Sequence, residues 1–115
     1  MFYGCTSLTK APKMLPATSL ANSCYDSMFY GCASLTEAPE IMATTDAGVY
    51  NICRYMFENC SSLMELKIHF EEITDSNNFL SWLNGTPNNS FLYVPYSLAT
   101  SIDGSISYHW NVHFF

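Results

Sequence analysis

The chain has 115 residues, 49% apolar and 16% aromatic, which is enough apolar material for one packed domain. Only 12% are charged, against about 25% in an average soluble domain, and the net charge is −6 with four Lys and Arg in all. So few cations cannot track a phosphate backbone, which argues against nucleic-acid binding, and no apolar run reaches the length of a membrane span.

Taken in order, the chain repeats itself. Met1-Phe2-Tyr3-Gly4-Cys5-Thr6-Ser7-Leu8-Thr9-Lys10-Ala11-Pro12 returns as Met28-Phe29-Tyr30-Gly31-Cys32-Ala33-Ser34-Leu35-Thr36-Glu37-Ala38-Pro39. A degraded third copy begins at Met56 and runs to Leu63. The spacings are 27 and 28 residues, a period expected of stacked units that each bury one apolar face against the next. In the first copy, Leu8, Ala11 and Leu15 point to a short strand ended by Pro12 and Pro16, which cannot donate to a ladder. Leu20, Ala21, Cys24 and Tyr25 then have the spacing of one helical or 3₁₀ turn with a buried side. The second copy has the same strand over 34–40, followed by a return over 44–51 loosened by an insertion and Gly48. In the third copy Leu66, Ile68 and Phe70 alternate with polar residues, the clearest strand signal in the chain.

After Glu72 the repeat is lost. Asp75-Ser76-Asn77-Asn78 reads as an N-cap region for a helix over 79–83, and Asn84-Gly85 as its left-handed end. Strands are expected at 91–94 and 106–115, separated by a turn region over 95–105. The implied division is 1–72, about two and a half repeats starting at Met1, Met28 and Met56, and 73–115, a C-terminal capping segment. The chain opens inside a repeat, without a basic segment leading into an apolar one. It is therefore expected to continue upstream, or to self-associate through its uncapped first repeat.

Of the five cysteines, Cys5, Cys32 and Cys60 hold one position in each copy, and Cys24 and Cys53 precede the next Met. An odd, position-locked set reads as small buried side chains, not a disulfide framework.

The string Met-Phe-x-Gly-Cys-x-Ser-Leu-Thr-x-Ala-Pro, with Leu-Pro-Ala-Thr-Ser-Leu-Ala at 15–21 and Cys-Tyr-x-x-Met-Phe at 24–29, resembles the BspA-like (Treponema-type) leucine-rich repeats of surface proteins in Bacteroides and related bacteria. The resemblance covers residues 1–70, and more loosely the tail around Trp110-Asn111-Val112. It implies an α/β repeat solenoid: a right-handed leucine-rich-repeat stack of short parallel strands, with short helical or irregular returns and a C-terminal cap. It also implies a secreted or cell-surface protein used for adhesion or recognition of an extracellular partner such as a host matrix or surface protein.

The exposed strand positions form the expected binding face: Lys10, Lys13, Glu37, Glu40, Glu65 and Lys67. By repeat offset Lys10 aligns with Glu37 and Glu65, and Lys13 with Glu40, which would make oppositely charged cross-strand neighbours. Trp82, Trp110, Tyr93, Tyr96 and Tyr108 are either the core of the cap or a platform on which a glycan could stack. A purely structural spacer is a third reading. His109 and His113 lie four apart and His69 lies near Glu71 and Glu72, but no third ligand stands at a metal-like spacing. Asn59, Asn84 and Asn88 head Asn-x-Ser/Thr triplets, about as many as such a Ser- and Thr-rich chain yields by chance. No Gly-rich phosphate loop and no cysteine beside a histidine suggests a catalytic centre, and no cofactor is expected.

Overall fold

A computed structural model describes residues 2–99, 102 and 104–115. Met1, read as the first repeat's start, and part of the turn expected over 95–105 lie outside the described residues. Strands form where an apolar residue faces inward between outward-facing neighbours: β1 (Met14–Leu15), β2 (Glu40–Ile41), β3 (Glu65–Lys67), β4 (Phe91–Val94) and β5 (Asn111–Phe114). All pair in parallel, β1 with β2, and β3, β4 and β5 in that order. Parallel bridges from Glu37 to Glu65, Ile41 to Ile68 and Thr45 to Glu72 link the surroundings of β2 to those of β3.

The α/β leucine-rich-repeat solenoid expected above is not what forms. The chain is a small unit of five short strands in two small parallel sheets, with almost no helix. Among the described residues the helical elements are the four-residue α1 (Gly104–Ser107) and two 3₁₀ turns, Ser76–Phe79 and Tyr96–Leu98.

The backbone explains why the returns are not helical. Successive amides alternate between two acceptors: Tyr25 N–H donates to Ile52 O, Asp26 to Ser23 O, Ser27 to Arg54 O, Met28 to Tyr25 O and Phe29 to Met56 O. A helix needs consecutive bonds to the fourth residue back, whereas here every second amide serves a neighbouring segment. Left-handed residues at Ser23 (φ 59°), Ser27 (φ 56°), Asn51 (φ 56°), Tyr55 (φ 56°) and Asn59 (φ 63°) interrupt any helical run. The result is a ribbon of overlapping turns. The helix expected over 79–83 is likewise replaced by the 3₁₀ turn at Ser76–Phe79, whose N-cap Asp75 accepts from Asn77 N–H at 2.9 Å. The tail supplies β4 and β5, which lie on the sheet begun by β3.

The register also departs from the repeat offset. Glu40 lies opposite Met14, not Lys13, because Leu15 and Ile41 both turn inward and must share a level. A shift of one residue would send both to the solvent face. The first copy therefore accommodates one extra residue between Pro12 and Leu15.

The core takes Phe29, Leu35, Phe57, Leu63, Phe70, Phe79 and Trp82, all fully buried, and each such side chain contributes roughly 1.5–3 kcal/mol. The rings of Phe2, Phe29 and Phe57 lie nearly parallel, with centroids 5.2 and 5.5 Å apart. The cysteines divide. Cys32, Cys53 and Cys60 are buried, but Cys5 and Cys24 are exposed, so the reading of all five as core side chains holds only for the first three. The Cys32 thiol donates to Phe2 O at 3.0 Å and the Cys60 thiol to Phe29 O at 3.1 Å. Burial pushes the Cys60 thiol up to about 12 and Cys53 well above its ordinary range.

One buried carboxylate joins the return after β2 to the segment after β3. Asp46 is fully buried. Its Oδ1 accepts from Thr74 N–H at 2.7 Å and Thr74 Oγ1 at 2.8 Å, and its Oδ2 from Asn78 Nδ2 at 2.9 Å and Asp75 N–H at 3.2 Å. Burial alone would raise its pKa, but these bonds outweigh it and hold the carboxyl below its ordinary value.

Candidate functional site

Because Leu15, Ile41 and Leu66 turn inward, the residues beside them turn out. All six charged residues expected on the binding face, Lys10, Lys13, Glu37, Glu40, Glu65 and Lys67, line one groove of about 760 Å³. Ala11, Pro12, Ala38, Leu66, Tyr93 and Phe115 complete its lining. The parallel bridges Lys10 to Glu37 and Glu37 to Glu65 set three of the charges in a row across the chain. On β3 and β4, Glu65 lies opposite Phe91 and Lys67 opposite Tyr93.

The pairing within the groove differs from the sequence expectation. Among the described residues no ion pair joins Lys10 to Glu37 or Lys13 to Glu40. Glu40 instead takes Lys67 Nζ at 3.5 Å and His69 Nε2 at 2.5 Å. The His69 hydrogen bond is the main reason the Glu40 carboxyl sits below its ordinary value; desolvation opposes it, and Lys67 adds to it. Lys67 Nζ also lies 4.6 Å from the centre of the Phe115 ring, a cation–π arrangement, and the His69 and Phe115 rings meet edge-to-face with centroids 5.4 Å apart. The chain reaches this position because Phe115 N–H bonds Val94 O at 3.0 Å, extending the β5 pairing by one residue.

Sequence reasoning missed His69, Tyr93 and Phe115 as members of this site. Tyr93 was accessible from alternation, since Leu92 and Val94 are inward and their neighbours outward. His69 was accessible in the same way, between inward Ile68 and Phe70, whereas Phe115 carried no comparable signal because its position depends on a pairing between distant segments.

The remaining candidates lie elsewhere. Trp82 is fully buried and donates Nε1–H to Ile106 O at 2.8 Å. Trp110 is 5% exposed, with Nε1–H on Thr86 Oγ1 at 2.9 Å, so neither indole offers a free face for a sugar. Tyr96 is exposed against the Phe114 ring and Tyr108 is half-buried. His113 packs on Phe91 and Tyr93, whereas exposed His109 borders a second cavity of about 410 Å³ with Asn84, Asn88 and Trp110. Asn59, Asn84 and Asn88 are exposed.

In comparisons with known proteins, no family model, curated protein or solved structure matches this chain. Among the described residues, no helix is long and apolar enough to cross a membrane.

Proposed function

We propose that this chain is a non-enzymatic recognition module that binds a protein partner through the groove across its strands. The observation that carries the reading is the convergence of six charged side chains, drawn from segments up to 57 residues apart, with Tyr93 and Phe115 around one groove. Its mixed charges suit a polar protein surface with an apolar anchor, since complementary charge sets specificity and encounter rate. An extracellular partner, such as a host matrix or surface protein, follows from the resemblance described above.

The test is binding of the labelled, folded chain to a panel of matrix proteins and glycans, repeated after charge reversal at Glu37, Glu40 and Glu65. A saturable protein hit that weakens on reversal supports the reading. A glycan hit, or a protein hit indifferent to reversal, overturns it.

A further inference from the structure

The groove's charges are ordered as well as mixed, and their spacing constrains what can lie in it. Lys10, Glu37, Glu65 and Phe91 face one another in turn across the parallel segments, with Lys13 further along the first of them and Tyr93 two residues beyond Phe91 on β4. Lys67 is already engaged by Glu40 and stands over Phe115. Among the described residues Lys10, Lys13, Glu37 and Glu65 carry no ion pair, so their charges remain available to a partner.

Neighbouring strands lie about 4.8 Å apart. The midpoint between Glu37 and Glu65 is thus about 7 Å from the Lys10 segment, and β4 is about 7 Å further on. An extended peptide presents side chains on one face every second residue, at about 6.6–6.8 Å. The two periods agree.

Resting on the recognition reading, we propose that the groove takes an extended segment of a partner protein laid across the strands. That segment carries an acidic residue, a basic residue two positions later and a large apolar residue two positions beyond. The acid faces Lys10 and Lys13, and the base sits between Glu37 and Glu65, which a parallel bridge makes neighbours. The apolar side chain rests on Phe91, which lies opposite Glu65 and is 41% exposed, with Tyr93 and Phe115 beside it on the groove's lining. An ordinary acidic cluster would attract any cation. Here the flanking lysines and rings fix both the order and the spacing of the ligand.

Fluorescence anisotropy with labelled peptides in identical Gly-Ser flanks tests this. Glu-Ser-Arg-Ser-Phe should bind the intact chain at least about tenfold more tightly than the permuted Arg-Ser-Glu-Ser-Phe, which sets like charge on like. Glu37→Gln with Glu65→Gln, checked for folding by circular dichroism, should shrink that difference to the part set by the lysines, and adding Lys10→Gln with Lys13→Gln should erase it. Glu37→Lys with Glu65→Lys should shift the preference to Glu-Ser-Glu-Ser-Phe. Equal binding of the ordered and permuted peptides, or binding of neither, overturns the inference. If neither peptide binds while a partner from the protein panel still loses affinity on charge reversal, only the extended-segment inference falls. If reversal leaves panel binding unchanged, the recognition reading falls with it.

Discussion

Replacing Asp46 with alanine removes the acceptor for four donors at once: Thr74 N–H, Thr74 Oγ1, Asp75 N–H and Asn78 Nδ2. The losses are unequal. Thr74 and Asp75 are exposed, so water can take over their donors, and each lost bond costs about 0.5–1 kcal/mol. Asn78 is buried, and its amide keeps only a long contact to Val49 O at 3.4 Å, so its lost bond costs about 1–3 kcal/mol. The sum is about 2.5–6 kcal/mol, or a fall in Tm of about 10–30 °C for a chain of this size. Urea denaturation followed by the fluorescence of buried Trp82 and Trp110 reads it directly. The pH dependence supplies a second readout. The folded carboxyl ionises at lower pH than the unfolded one, so its stabilisation is complete above the unfolded value of about 3.9. It is lost as pH falls from there through the folded value. Asp46→Ala should therefore flatten part of the acid limb of the stability curve. A loss below about 1 kcal/mol with an unchanged acid limb would refute the assignment of Asp46 as the tie between these segments.

Gly85 has φ +77°, and a Cβ there would press on Asn59, whose Cα would lie 3.2 Å away. Gly85→Ala should cost about 2 kcal/mol or more, whereas Gly48→Ala, also left-handed but in open space, should cost about 1 kcal/mol; equal losses in denaturant titration would contradict the close packing at Asn59. In the native protein two thiols should react with an aromatic disulfide reagent, Cys5 promptly and Cys24 more slowly because partial burial raises its thiol, and all five only after unfolding. Prompt reaction of all five would contradict the burial of Cys32, Cys53 and Cys60.

Much of the core was legible because the internal period locks apolar residues to equivalent places. Phe29 and Phe57, Leu35 and Leu63, and Cys32 and Cys60 are all fully buried. The charged face was legible for the same reason, and its six residues do share one groove. The local backbone was not. The left-handed residues at Ser23, Ser27 and Tyr55 are not glycines, so nothing in their chemistry announced turns where a helical segment fitted the spacing. The one-residue offset at Met14 follows from which apolar residue wins the inward position, a competition decided only by packing. Asp46 lay in a return that looked merely loose, and its donors come from residues 74–78, outside the repeat. Phe115 entered the groove through a pairing with β4 that periodicity could not reveal.

The most direct measurement is chemical-shift mapping of the isotope-labelled chain as a partner from the binding panel is added. The expected result is perturbation concentrated at Lys10, Lys13, Glu37, Glu40, Glu65, Lys67, Tyr93 and Phe115, with the residues around the second cavity, Asn84 to Asn88 and Tyr108 to Trp110, left in place. Perturbation confined to that second cavity, or spread evenly with no focus on the strand face, would contradict the groove as the recognition surface.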